Sequence, residues 1–141
     1  MSSKFTFFEY GLGVKTGVIN FFLPKNPEHV SGSFVLQSHV DENRNISVKM
    51  KSFKDIINDL KHERIDVLKM DIEGAEYEIL ESILESSIPI NQILIEFHDI
   101  LFANGKLKTI EAIKKLNDYG YEIFGISDSF EEVSFINKRI L

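Results

Sequence analysis

The stretch Ile65-Asp66-Val67-Leu68-Lys69-Met70-Asp71-Ile72-Glu73-Gly74-Ala75-Glu76 decides how the rest of the chain is read. Ile65 to Met70 is short, mostly apolar and carries two β-branched residues, which is the pattern of a buried strand. A polar break follows at Asp71, and from Ala75 the period changes. Ala75, Ile79, Leu80, Ile83 and Leu84 fall on one face of a helix. Asp71, Glu73 and Glu76 therefore sit where a strand turns into a helix. In open α/β sheets, ligands gather in the crevice beyond the carboxyl ends of the strands. Three carboxylates within six residues repel one another there unless a cation, amine or hydroxyl uses them.

Upstream, Lys61 to Arg64 is a charged connector, and Ser52-Phe53-Lys54-Asp55 opens a helix with Ser52 as its cap. Phe53, Ile56, Ile57 and Leu60 give that helix one buried face. Ile46 to Met50 alternates like a strand, and the polar Asp41 to Asn45 reads as a turn. At the front, Phe5 to Tyr10 and Val18 to Leu23 read as two strands, with Gly11, Gly13 and Gly17 punctuating the turn between them. Lys25 to Ser33 reads as loop, and Ser31, Gly32 and Ser33 offer hydroxyls and a permissive glycine that can wrap a ligand.

Downstream, Pro89 blocks the helix, and Gln92 to Phe97 is the next buried strand, running into Glu96-Phe97-His98-Asp99. A helix over roughly 107–119 turns Leu107, Ile110, Ile113 and Leu116 inward and stops at Gly120. Tyr121 to Ile126 and Val133 to Ile136 are two further strands, close enough to pair antiparallel. This order calls for an α/β domain with a mostly parallel sheet, right-handed crossovers and an antiparallel C-terminal strand.

Composition limits the partners. The 141 residues make one domain's worth of core, with 43% hydrophobic and 27% charged residues. The net charge is −6 and no Lys/Arg cluster stands out, so nucleic acid is not an expected partner. No apolar run approaches the ~20 residues of a membrane span. Cysteine is absent, which removes disulfides and thiolate metal sites, and the expected location is cytoplasmic.

The central stretch resembles the "iDxxKxDxEGxE" signature of the FkbM family of S-adenosylmethionine-dependent methyltransferases, and Ile95-Glu96-Phe97-His98 is similar to its "iExH" element. Gly11-Leu12-Gly13, Gly17, Phe21 to Pro27 and His29 to Ser33 look like the family's middle region. The resemblance runs from about Phe5 to Ile136 and implies a Rossmann-like sheet whose last strand inserts antiparallel. It also implies S-adenosylmethionine as cofactor, Asp71 and Glu73 as the signature acids, and methyl transfer to an oxygen of a small molecule or sugar. Asp71, Ser31 and Ser33 are the expected cofactor contacts.

Family members carry a glycine-rich cofactor loop after their first strand. This chain is expected to begin near the third, as a partial domain over 1–141. Glu9-Tyr10-Gly11-Leu12-Gly13-Val14-Lys15-Thr16-Gly17 imitates such a loop, but Val18 to Leu23 reads as strand where a helix is needed. Without the first strand, the strand ending at Asp71 has a bare edge, to be covered by the leading strands or by a second copy in a homodimer. A non-catalytic remnant or assembly module of the same fold is the alternative function.

Adjacent parallel strands lie about 4.8 Å apart, so Asp71, Glu73, Glu96 and His98 are expected to converge as the catalytic group. His98 or a carboxylate takes the acceptor's proton. No metal is assigned, although the same oxygen-rich group with one histidine suits Mg²⁺ or Mn²⁺. Glu76 is accounted for by the favourable N-terminus of its helix. Lys69, within the central strand, is expected to snorkel or to pair with Asp66 or Glu96.

Overall fold

The computed structural model describes residues 5–25 and 40–140, in two compact units, Met1–Ser52 and Phe53–Leu141. In the first unit, strands β1 (Gly11–Gly13), β2 (Gly17–Pro24) and β3 (Val40–Ser52) form a sheet in the order β1-β3-β2. β2 runs antiparallel to β3 from Gly17 opposite Met50 to Pro24 opposite Val40, and β1 lies parallel on the other side of β3.

Two expectations are corrected here. The first strand is not Phe5 to Tyr10 but the short Gly11–Gly13, and Phe5 and Phe7 are exposed. Asp41 to Asn45 is strand rather than turn, because pairing across to β2 (Asn45 opposite Phe22) overrides the polar propensity of the segment. The glycines at 11, 13 and 17 lead into β2 and not into a helix. Ser31 and Ser33 lie outside the described residues.

The second unit holds α1 (Phe53–Leu60), β4 (Ile65–Met70), α2 (Glu76–Glu85), β5 (Ile90–Glu96), α3 (Gly105–Asp118), β6 (Tyr121–Ile126) and β7 (Glu132–Asn137). The sheet order is β4-β5-β7-β6. Only β4 and β5 pair in parallel, whereas β7 pairs antiparallel with both β5 and β6. The mostly parallel sheet is thus corrected to a mixed one. The last strand does more than add beside its predecessor: it enters between β5 and β6 and makes two antiparallel ladders. Among the described residues no strand hydrogen-bonds to the outer side of β4, and the leading strands pair in their own sheet.

The helical stripe of α2 is buried as its spacing requires: Ile79, Leu80, Ile83 and Leu84 join Met70, Ile93, Ile95 and Phe135 in the core. Tyr121 Oη and Asn137 Nδ2 both donate to the Ile90 carbonyl, at 3.0 and 3.2 Å, tying the far strands to the start of β5.

The stripe of α3 is corrected. Leu107 and Ile110 are more than half exposed, and the buried positions are Gly105, Ala112 and Leu116. The reason is close approach at the helix start. A Cβ on Gly105 would stand 1.8 Å from the Asp99 carbonyl oxygen, in the short 3-10 turn Asp99–Leu101. The helix is rotated so that its small residues face inward there.

Candidate functional site

β4 ends at the buried Met70, and its parallel neighbour pairs Met70 with Ile95. The next residues along each chain, Asp71 and Glu96, therefore leave the sheet side by side. Between Asp71 and α2 the backbone turns sharply: Glu73 has φ 53° and Gly74 φ 102°, both in the left-handed region. Glycine suits that conformation, and the local strain at Glu73 is of the kind that gathers at functional sites.

This turn aims two backbone N–H groups at one carboxylate. Ile72 N–H donates to Glu76 Oε1 at 3.0 Å, and Gly74 N–H donates to both oxygens at 3.2 and 3.0 Å. Glu76 is 0% exposed, and the remaining partner of its Oε1 is His98 Nδ1 at 2.8 Å. His98 follows the end of β5, where Phe97 N–H is fixed by the Glu131 carbonyl at 2.8 Å. Phe97 is buried and its ring stacks on Tyr77 at 5.6 Å.

The other ring nitrogen of His98 looks outward. Nε2 lies 3.8 Å from Asp71 Oδ1, 3.8 Å from Glu73 Oε2 and 3.9 Å from Glu96 Oε1. The structure thus brings together all four of Asp71, Glu73, Glu96 and His98. Asp71, Glu96 and His98 also place one donor atom each within 4.8 Å of one another, a spacing open to a divalent cation. Lys69 pairs with Asp71 at 3.5 Å rather than with Asp66 or Glu96. Asp66 instead meets Arg64 and accepts from Asn91.

Electrostatics follow from this crowding. Burial alone would push His98 down, but the carboxylates of Glu76, Glu73 and Glu96 outweigh it and hold the imidazole above its ordinary value. Glu96 is raised by burial and by repulsion from Asp71, against the pull of His98 and Lys69. The folded chain therefore holds the His98 proton more tightly than the unfolded one. That stabilisation is complete below the ordinary imidazole value of 6.5 and is lost as pH rises through the higher folded value. Thermal midpoints are expected to fall across this window in the wild type. His98→Asn, which keeps a donor for Glu76 and has no such titration, is expected to lack His98's share of that fall. Equal slopes in the two proteins would remove His98 as the cause.

Glu76 belongs to the site although its sequence context does not announce it. An acid in the first turn of a helix is explained by the dipole alone, and nothing local signals that this one is buried against a histidine 22 residues later. The spacing Glu76…His98 carries meaning only once the strand order places the two ends together. A separate cavity of about 210 Å³ lined by Tyr77, Leu80, Lys108, Glu111, Ala112 and Lys115 lies between α2 and α3 and contains none of the acidic corner. The corner, with its convergent titratable groups, is the better candidate for chemistry.

A family model described as the methyltransferase FkbM domain matches residues 4–123. The chain belongs to the FkbM methyltransferase family. That match spans both units and includes every residue of the acidic corner. No curated protein and no solved structure matches. Membership of the FkbM family supports a methyltransferase-type enzyme. No helix among the described residues is long and apolar enough to cross a membrane.

Proposed function

We propose that this FkbM-family chain transfers a methyl group from S-adenosylmethionine to an oxygen of a small molecule or sugar, at the corner formed by Asp71, Glu73, Glu96 and His98. The observation that supports this reading most is the position of His98 Nε2, which faces three partly exposed carboxylates and is held from behind by a buried one. S-adenosylmethionine supplies an electrophilic methyl carbon on a cationic sulfur and leaves as a neutral thioether. An anionic corner fits a cationic cofactor: Asp71, on the rim, would hold its amino end, and Glu73 would add to the favourable potential. His98 would take the acceptor's hydroxyl proton at Nε2 while the carbon–oxygen bond forms and the carbon–sulfur bond breaks. Glu96, at the end of β5, would orient the acceptor by accepting a hydrogen bond. Ser31 and Ser33 remain proposed cofactor contacts.

The Rossmann-like character of the sheet and a cytoplasmic location belong to the same proposal. So does a second copy lying against β4, supported by the outer side of that strand, which has no ladder among the described residues. The same open side favours the competing reading, a non-catalytic module of this fold. Calorimetric titration with S-adenosylmethionine separates the two. Micromolar binding to the wild-type chain, weakened at least about tenfold (about 1.4 kcal/mol) in Asp71→Ala, is expected for the enzyme. No heat at millimolar cofactor would favour the module.

A further inference from the structure

We infer that Glu76 is the positioning residue of this site: its buried carboxylate holds His98 in the tautomer protonated at Nδ1, leaving the unprotonated Nε2 turned to the mouth of the corner. The inference rests on the reading of His98 as the proton acceptor and deepens it.

Three observations carry it. Glu76 Oε1 lies 2.8 Å from His98 Nδ1, and an ionised carboxylate can only accept, so the ring must donate from that nitrogen. On the other side, Nε2 stands 3.8 to 3.9 Å from the oxygens of Asp71, Glu73 and Glu96. Those distances exceed a hydrogen bond, so no direct contact competes for the choice of tautomer. Finally, Glu76 cannot swing away. Ile72 and Gly74 N–H groups clamp its two oxygens, and the side chain has no exposure to water.

Neutral histidine in water prefers the opposite tautomer, with its proton on Nε2. In that form the ring would meet the acceptor hydroxyl as a donor and could take no proton from it. The nitrogen that carries the proton is set by the bond made at the other nitrogen. A carboxylate that orients an imidazole in this way is a known means of preparing a base. Helix capping does not account for the contact. The turn amides alone would serve a capping carboxylate, whereas His98 arrives from the end of β5 and meets it at 2.8 Å.

The test is nitrogen-15 NMR of the histidine rings in the wild-type chain, with His98 assigned by comparison with His98→Asn. In alkaline buffer, where the ring is neutral, its Nδ1 should show the pyrrole-type shift and a downfield-shifted proton, and Nε2 the pyridine-type shift. The reverse pattern, with the proton on Nε2, would overturn the inference whatever any variant does. In Glu76→Gln, which keeps the shape and removes the charge, the Nδ1 proton resonance is expected to move upfield or vanish. An unchanged resonance in a folded Glu76→Gln would also overturn it. If that variant does not fold, the wild-type spectrum decides alone. Failure of the wild-type chain to bind S-adenosylmethionine would sink the proposed reaction and leave the tautomer result standing.

Discussion

Replacing Glu76 with alanine is expected to cost about 3 to 5 kcal/mol of folding stability, the range for breaking one side of a buried charged pair. The cause is local and countable. Ile72 N–H, Gly74 N–H and His98 Nδ1 all lose an acceptor in a place where the side chain has no exposure. Unsatisfied buried donors carry their full desolvation penalty. Glu78, two residues along the same helix, is exposed, and Glu78→Ala is expected to stay within about 0.5 kcal/mol of wild type. Urea denaturation of the three proteins measures the contrast. Similar midpoints for the two alanine variants would mean that Glu76 is only another acid at a helix N-terminus.

Phe135→Ala should cost a similar amount, about 3 to 5 kcal/mol, for a different reason. Phe135 is 0% exposed at the centre of β7, opposite Ile93 of β5 and Ile123 of β6. Its removal leaves a cavity at the strand that joins the two halves of the sheet. Phe124, on β6 and 54% exposed, provides the comparison. Its alanine variant is expected to lose much less, and the difference in denaturation midpoints reads out the burial. A small loss at Phe135 would imply that β7 is not inserted as described.

What could be read in the sequence was what has a clean local period. β4 and α2 stand where Ile65 to Leu84 places them, and the buried residues of α2 are those at helical spacing, but β4, expected to be a buried strand, is buried only at Met70. The meeting of Asp71 with Glu96 and His98 was also legible, because strand ends of neighbouring parallel strands must coincide. The rest depends on contacts far apart in the chain. Ile46 to Met50 was legible as strand from its alternation, but the polar Asp41 to Asn45 that precedes it in β3 is made a strand only by its partner. In α3, Leu107 and Ile110 satisfy a helical spacing as well as the true stripe does, and only the closeness of Gly105 to Asp99 selects the face. The place of β7 between β5 and β6 leaves no trace in spacing, since a strand beside β6 would read identically. Glu76 was hidden for the same reason: its partner is brought to it by the sheet.

The two sides of the acidic corner differ in how many neighbours hold them. Glu96 ends a strand gripped by neighbours on both flanks, β4 and β7. Asp71 ends a strand that is hydrogen-bonded on one flank only among the described residues, with Val67 54% exposed along it. The corner is thus held unequally: the Glu76 carboxylate is clamped by the Ile72 and Gly74 N–H groups and by His98, whereas Asp71, 43% exposed, has Lys69 at 3.5 Å as its nearest charged neighbour. Among the described residues the outer flank of β4 carries no ladder, so a strand added there would fix Asp71 first and reach His98 only through it.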